Sequence, residues 1–268
     1  IMPNDIWDNV LRSLKLFKPN EIKTVMFAGM GEPLTNPNIF NMISDIKKLG
    51  RAPELLTNGS LLEQGRIDRL LDCGLDMLWV SVDGFEREMY EKIQKGSQFD
   101  SMIKNLEYFS NKKGAVKLGI TFVMMKENLC ELDKINTFAD RVDADMINLS
   151  YVIPSAELLK TDSVYDAGYP VGKMKTLEKR QDRKLNHCPF VEDRVCFVRW
   201  DGEVSPCMQL LPNSYTYLLD EKRKVYRHSF GNVKEHSLYE IWNGAEYKDF
   251  RERVHDFEFP DCTMCDGC

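Results

Sequence analysis

Two groups of residues in this 268-residue chain have types and spacing that suit chemistry. The first is a set of cysteines, because six of the eight lie after residue 187: Cys188, Cys196, Cys207, Cys262, Cys265 and Cys268. No secretory-signal pattern opens the printed sequence, so this clustering favours metal ligation over disulfide formation. Thiolates bind zinc and iron–sulfur clusters alike, so their spacing alone does not identify the metal.

The second group follows a short apolar run, residues 24–28, which predicts a buried parallel strand. Directly after it come Gly29, Met30, Gly31, Glu32 and Pro33. Glycines at that place allow backbone amides and carbonyls to approach a ligand closely. Glu32 adds a fixed negative charge that suits an ammonium group. The alternative is an ordinary turn between a strand and a helix.

Polar residues also end the strands that the sequence predicts farther along: Thr57, Asn58 and Gly59, then Ser81 and Asp83, then Asn148 and Ser150. In parallel α/β sheets and barrels, ligand sites form at the carboxyl ends of the strands. Any one of these residues could serve as a turn or a helix cap. Together with the glycine loop, they indicate a ligand site at one rim of the sheet.

Helical and strand patterns alternate through residues 5–152 with a period of roughly 25–35 residues, which predicts βαβ units and a parallel sheet. The pattern stops after Pro154, and residues 155–187 are interpreted as a linker or bridging segment. Beyond them the sequence predicts a hairpin of residues 194–200 and 203–208, turned by Asp201-Gly202, and a long helix over 237–254. The isolated Cys73 and Cys130 are interpreted as core residues.

Composition restricts the classes of function. With 43% hydrophobic residues, the chain has enough apolar content for one large domain or two unequal ones. A net charge of −6 argues against a nucleic-acid partner. No apolar run approaches the roughly 20 residues that cross a bilayer. We therefore expect no nucleic-acid or membrane partner and a cytoplasmic location.

Taken together, these motifs resemble those of a known family. The succession Gly-Met-Gly-Glu-Pro-Leu, Thr-Asn-Gly and Ser-Val-Asp-Gly resembles the core of radical S-adenosylmethionine (SAM) enzymes. Cys188, then Gly202-x4-Cys207, then Cys262-x2-Cys265 resembles the auxiliary iron–sulfur region called SPASM, or its shorter twitch form. The resemblance implies a partial (β/α)6 TIM-like barrel without its first strand, followed by a small cysteine-rich hairpin-and-helix domain. The implied domains are residues 1–154 and 188–268, both expected to be incomplete, with 155–187 between them.

The resemblance also implies roles for individual residues. In the family, the glycine-rich motif, here Gly29 to Glu32 with Pro33, holds the amino group of SAM. Ser81 and Asp83 match positions near the SAM ribose and carboxylate. The other implied SAM-binding residues are Thr57, Asn58, Thr121 and Asn148, of which the last two are looser matches. Met30 replaces the usual glycine, and a backbone contact survives that change if its φ angle is allowed to a residue with a Cβ.

One family motif is absent from the printed sequence, the Cys-x3-Cys-x2-Cys that binds the [4Fe–4S] cluster which cleaves SAM. The expectation is that this triad precedes Ile1, so that no catalytic ligand is assigned within this chain. The rival reading is a degenerate member without redox chemistry. The six clustered cysteines imply one or two auxiliary [4Fe–4S] clusters, and a structural zinc site at Cys262, Cys265 and Cys268 is the alternative.

The implied activity is reductive cleavage of SAM to a 5′-deoxyadenosyl radical that abstracts hydrogen from a substrate. The implied substrate is a peptide, a protein or a cofactor precursor, and the implied electron donor is ferredoxin- or flavodoxin-like. Two alternatives stay open: a non-catalytic, metal-stabilised binding module, and a nucleotide-dependent α/β enzyme, although no P-loop is present. The substrate itself is not specified by the sequence.

Overall fold

The structure, a computed structural model, describes residues 1–151, 188–218 and 221–255. The predicted bridging segment 155–187 and the predicted ligands Cys262, Cys265 and Cys268 lie outside the described residues. The described residues form two compact units. One comprises residues 22–151, and the other comprises residues 1–21 together with 188–218 and 221–255.

A five-stranded parallel sheet forms the centre of the unit at residues 22–151, with the strands in chain order. The strands are β1 (Thr24–Phe27), β2 (Ala52–Thr57), β3 (Met77–Ser81), β4 (Lys117–Met124) and β5 (Met146–Tyr151). The helices between them are α2 (Ile39–Lys48), α3 (Gln64–Asp72), α4 (Arg87–Ile93), α5 (Phe99–Lys112) and α6 (Ile135–Arg141). The predicted α/β fold with a partial barrel is confirmed. Within the described residues, no helix has the length and apolar character to cross a membrane.

The two faces of this sheet differ in exposure. Successive side chains of a strand point to opposite faces. One face is covered, with Leu55, Leu78 and Ile120 fully buried. The other face is partly open, since Met26 is 49% exposed and Asn148 is exposed. Parallel sheets usually bury both faces, so the open face is the one that can receive a ligand.

Trp79 on β3 covers part of the open face. Its ring lies over Gly119 of β4 so closely that a Cβ there would meet the Trp79 ring at 2.2 Å. The indole Nε1 donates a 2.8 Å hydrogen bond to Glu54 Oε2 on β2, which fixes the ring. A side chain at position 119 would therefore displace Trp79.

The second unit is made of short elements. They are helix α1 (Asn4–Leu14), α7 (Pro189–Glu192), the strand pairs β6 (Phe197–Val198) with β7 (Val204–Ser205) and β8 (Ser214–Leu218) with β9 (Glu221–Val225), α8 (Leu238–Asn243) and α9 (Ala245–His255). The predicted hairpin turned by Asp201-Gly202 is present as β6 and β7, and Gly202 has a φ of 93° that favours glycine. The β8–β9 hairpin was not predicted.

The long helix predicted over 237–254 is wrong, because it is two helices. Its start is as predicted, with Ser237 as the N-cap in a capping box with Glu240. Helix α8 then ends at Gly244, whose ψ of 150° is extended. The break falls at this residue because glycine has a low helix propensity.

Helix α1 packs against helix α8 in this second unit. The Ser13 hydroxyl accepts a 2.9 Å hydrogen bond from the backbone N–H of Leu238, and Ser13 is 2% exposed. Helix α1 therefore groups with residues 188–255, although the sequence assigned it to the domain at 1–154.

The two isolated cysteines differ. Cys73 lies at the end of α3 and is half-buried, and this burial raises the pKa of its thiol to about 11. Cys130 is exposed, so its assignment to the core is wrong. Leu129 to Lys134 form a 3-10 helix in which Glu131, the residue after Cys130, is the buried one.

Candidate functional site

The glycine loop after β1 leaves its backbone open. A Cβ placed on Gly29 or on Gly31 would meet no atom within 4 Å. Met30 between them is 84% exposed. Asp143 and Arg194 are the non-glycine residues with positive φ among those described, so the backbone of Met30 is allowed to a residue with a Cβ. The loop can thus present peptide groups to a ligand, as the sequence predicted.

Glu32 ties this loop to the end of the next strand. Its Oε1 accepts hydrogen bonds from the backbone N–H of Leu34 at 3.0 Å and from the Thr57 hydroxyl at 2.8 Å. Its Oε2 accepts a 2.8 Å bond from the backbone N–H of Asn58. A carboxylate offers about four acceptor positions. Three are occupied within the chain, so Glu32 positions the loop and keeps about one position for a ligand.

The side chains of Thr57 and Asn58 make hydrogen bonds to neighbouring residues of the chain and so support this arrangement. Thr57 is paired in register with Val80 on the covered face and is 1% exposed. Its hydroxyl donates to Glu32 and accepts from Gly59 N–H at 3.1 Å. The Asn58 side chain accepts from Ser60 N–H at 2.9 Å. Neither side chain joins the polar residues of the open face.

Three other predicted residues are brought together on the open face. Ser81, Thr121 and Asn148 are partners in register across β3, β4 and β5, so their side chains form a polar row on one face. The Thr121 Oγ1 atom is buried and has no hydrogen-bond partner among the described residues. An unsatisfied buried hydroxyl costs about 1–3 kcal/mol. The row is therefore suited to a polar ligand.

Asp83 anchors the chain just after β3. Its Oδ1 accepts from Val123 N–H at 3.1 Å, and Gln94 Nε2 lies 3.4 Å from its Oδ2. Burial raises the pKa of Asp83, although hydrogen bonds from Val123, Gln94 and Ser81 oppose the rise. The carboxylate therefore lies in a partly dry environment at the end of the polar row.

The sequence analysis missed two residues of this region. Gln94 donates a 2.9 Å hydrogen bond to the Ser81 carbonyl. Asn128 is fully buried, and its side-chain amide donates to the carbonyls of Asp83 at 3.1 Å and Val123 at 2.9 Å. Neither residue belongs to a motif, so nothing in the local pattern signals its role.

In the second unit, backbone amides surround two of the predicted metal ligands. The Cys188 sulfur accepts hydrogen bonds from the N–H groups of Val191 and Phe190, which counter the rise in its pKa that burial causes. The Cys207 sulfur accepts from Gln209 N–H at 3.4 Å. The charge of Cys207 also raises the pKa of Cys188. Backbone N–H donors to sulfur are typical of thiolates that hold iron–sulfur clusters.

Cys196 has different surroundings. Burial raises the pKa of its thiol to about 11, and the positive charge of Arg251 opposes that rise. Cys196 stays a predicted ligand. Within the described residues, no three His, Cys, Asp or Glu side chains converge closely enough to hold a metal ion.

Family models match both parts of the chain. The radical SAM superfamily matches residues 2–139, and the iron–sulfur cluster-binding SPASM domain matches residues 188–268. A tungsten-containing aldehyde ferredoxin oxidoreductase cofactor-modifying protein of Pyrococcus furiosus is 30% identical, over 100% of this chain and 80% of that protein. The resemblance inferred from the sequence is confirmed.

Solved structures show the same fold at low identity. SuiB of Streptococcus suis, solved bound to the precursor peptide SuiA, has a TM-score of 0.63 at 17% identity and covers 93% of this chain and 60% of that one. The protein anSMEcpe, solved with bound AdoMet, has a TM-score of 0.61 at 17% identity and covers 99% of this chain and 78% of that one. At such identity the likeness concerns the fold alone.

Proposed function

The chain belongs to the radical SAM superfamily, and from this premise we propose that it binds SAM at the open rim of the sheet and uses it to modify a cofactor or a cofactor precursor. SAM and [4Fe–4S] clusters are the cofactors that its two matched domains imply. The observation that carries the proposal is the buried, unpartnered Thr121 hydroxyl in the polar row beside an open glycine loop.

The residues of the rim fit SAM. The open backbone of Gly29 to Gly31, with the remaining acceptor position of Glu32, suits the ammonium group. The row of Ser81, Thr121 and Asn148 suits the polar ribose and carboxylate. Thr57 and Asn58 act indirectly, by holding Glu32 in place. The chemistry that SAM and a reduced [4Fe–4S] cluster supply in this superfamily is reductive cleavage to a 5′-deoxyadenosyl radical, which abstracts hydrogen from a substrate.

The residues of the second unit fit an auxiliary cluster. Cys188 and Cys207 would provide two thiolates whose sulfurs already accept backbone hydrogen bonds. Cys196, Cys262, Cys265 and Cys268 remain proposed ligands, and the number of clusters stays open. Within this site the chain excludes water and fixes the thiolates, which are the means by which a protein tunes such a cofactor.

The class of substrate is proposed from the relative that matches the whole chain. Its name describes a cofactor-modifying protein, and its 30% identity extends over the full length of this chain. A peptide substrate is the second candidate, because SuiB of the same fold was solved with a precursor peptide. A ferredoxin- or flavodoxin-like protein would supply the electron.

The test uses the full-length protein, purified without oxygen. We expect iron and sulfide well above one equivalent, and 5′-deoxyadenosine after addition of SAM and a reductant. Replacement of the unpartnered hydroxyl in Thr121→Val should weaken SAM binding by about 0.5–1.5 kcal/mol, the net value of one hydrogen bond. Thr137→Val, at an exposed position of α6, is the matched control. Iron and sulfide without any 5′-deoxyadenosine would favour the non-catalytic binding module.

A further inference from the structure

Helix α9 places two polar side chains on one face, Tyr247 and Arg251, four residues apart. Tyr247 is 1% exposed, and its ring is stacked on Phe230 with centroids 4.2 Å apart and an angle of 11°. The Trp242 ring meets it edge-on at 5.0 Å. Because the ring is held on two sides, the direction of its hydroxyl is fixed.

Both side chains carry buried donors without a partner. The Tyr247 hydroxyl and the Arg251 Nη1 have no hydrogen-bond partner in the described part of the chain. The rest of the guanidinium is fixed, since Nη2 donates a 3.0 Å bond to the Trp242 carbonyl and the group lies 3.9 Å from the Trp242 ring centroid. Each unsatisfied buried group costs about 1–3 kcal/mol. Two neighbouring buried donors without a partner therefore indicate a ligand that accepts hydrogen bonds from both.

Helix α9 packs against helix α7, which begins at Pro189, directly after Cys188. Burial raises the pKa of the Tyr247 hydroxyl, and the charges of Cys196, Cys207 and Cys188 raise it further. Arg251 interacts with Tyr247 and with Cys196.

We propose that the Tyr247 hydroxyl and Arg251 Nη1 donate hydrogen bonds to sulfur atoms of the auxiliary cluster that Cys188 and Cys207 hold. The inference rests on the proposed iron–sulfur site and assigns two residues that the cysteine pattern does not contain. A cluster gains negative charge when it is reduced, and hydrogen bonds to its sulfurs favour the reduced form. Tyr247 and Arg251 are thus positioning residues that raise the reduction potential of the cluster.

The experiment compares reconstituted full-length proteins of equal iron and sulfide content. In Tyr247→Phe, the midpoint potential of the auxiliary cluster should move to a more negative value. A tenfold change in the equilibrium constant for reduction corresponds to about 59 mV for a one-electron couple. Arg251→Lys, which keeps a positive charge but lacks the planar donor, should shift it in the same direction. The control is Tyr226→Phe, at a 65% exposed tyrosine of the same unit, which should leave the potential unchanged.

A spectroscopic measurement separates hydrogen bonding from a merely structural role. In electron–nuclear double resonance on the reduced cluster, exchange into D₂O should reveal a coupled exchangeable hydrogen that is missing in Tyr247→Phe. An unchanged potential and unchanged coupling in that variant would overturn the assignment of Tyr247. If the wild-type protein takes up no iron and sulfide, the proposed cluster site fails, and this inference fails with it. If instead the wild-type protein takes up iron and sulfide and the variants show no change in potential or coupling, only this inference is overturned and the proposed cluster site stands.

Discussion

The Glu32 carboxylate accepts a 2.8 Å hydrogen bond from the Thr57 hydroxyl, so the loop after β1 is fastened to the last residue of β2. The adjacent Asn58 N–H donates to the other oxygen of the same carboxylate at 2.8 Å. The resemblance gave Glu32 a direct role in binding the SAM ammonium group. The geometry adds a second role, because the carboxylate holds the loop after β1 against the backbone at the end of β2.

Thr57→Val tests this second role. The substitution removes one hydrogen bond to a charged group, so the free energy of unfolding should fall by about 1.5–3 kcal/mol. The SAM dissociation constant should rise by up to about tenfold, or about 1.4 kcal/mol, although the side chain is 1% exposed. Calorimetric titration measures the affinity, with exposed Thr137→Val as the control. If Thr57→Val leaves the SAM affinity unchanged while Glu32→Ala weakens SAM binding, Glu32 acts by direct contact alone.

The sequence predicted the parallel sheet from local patterns. Of the polar row, the strand-end pattern contained Ser81 and Asn148, whereas Thr121 came only from the family resemblance. Strand and helix periodicity follows from neighbouring residues. Ser81, Thr121 and Asn148 lie side by side because the register of β3, β4 and β5 pairs them. The orientation of Thr57 toward the covered face depends on the same register, which the pattern of that strand alone did not fix.

Other features depend on contacts between distant residues, so sequence analysis could not reach them. Helix α1 has the spacing of any amphipathic helix, and its partner α8 lies more than two hundred residues away along the chain. Asn128 reaches Asp83 across 45 residues. Tyr247 has the local appearance of an ordinary core aromatic, and its hydroxyl stands out only when its lack of a hydrogen-bond partner is seen.

The contact between Trp79 and Gly119 leads to a prediction about the floor of the open face. In Gly119→Ala the new Cβ would lie 2.2 Å from Trp79 Cε3, and overpacking of this kind costs about 1–3 kcal/mol. Urea unfolding should show this loss, and adding Trp79→Leu should recover part of it. Gly65→Ala in α3, where a Cβ meets nothing within 4 Å, is the matched control and should stabilise by about 0.5–1 kcal/mol. Strictly additive effects of the two substitutions would contradict the contact.

Asp83 leads to a prediction about pH. Because burial raises its pKa, the native state holds the Asp83 proton more tightly than the unfolded chain, where the value is about 3.9. Below that value Asp83 and an asparagine there are both neutral. As pH rises through the native pKa, wild type should lose stability relative to Asp83→Asn, by about 1.4 kcal/mol for each unit between the two pKa values.

Asp68 provides a control of opposite sign for that measurement. The hydrogen bond from Lys112 lowers the pKa of Asp68, so its contribution is present above the unfolded value and is lost as pH falls through the native one. Wild type should therefore gain stability relative to Asp68→Asn as pH rises. Urea unfolding of both variants from pH 3 to pH 7 gives the comparison. A flat difference for Asp83→Asn would contradict the dry environment of that carboxylate.

The division into two units makes the last prediction. Cys207 is 9% exposed and packs with Leu210, Val225 and Phe190, and its sulfur accepts from Gln209 N–H. Small units of this kind depend on metal for folding. Cys207→Ala should therefore reduce hydrogen-exchange protection in residues 188–255, while residues 22–151 keep theirs. Helix α1 should lose protection with the C-terminal residues, because Ser13 binds Leu238.

Activity measurements on the same variant complete this test. Substrate turnover should fall much more than uncoupled SAM cleavage, because the proposed SAM site lies on the sheet of the other unit. Cys73→Ala, a cysteine substitution within that unit, is the control and should leave residues 188–255 protected. Replacement of Cys265, which lies outside the described residues, should act like Cys207→Ala if both hold clusters. Two outcomes would contradict this division into units. One is an equal loss of hydrogen-exchange protection in both units, and the other is a helix α1 that keeps its protection together with residues 22–151.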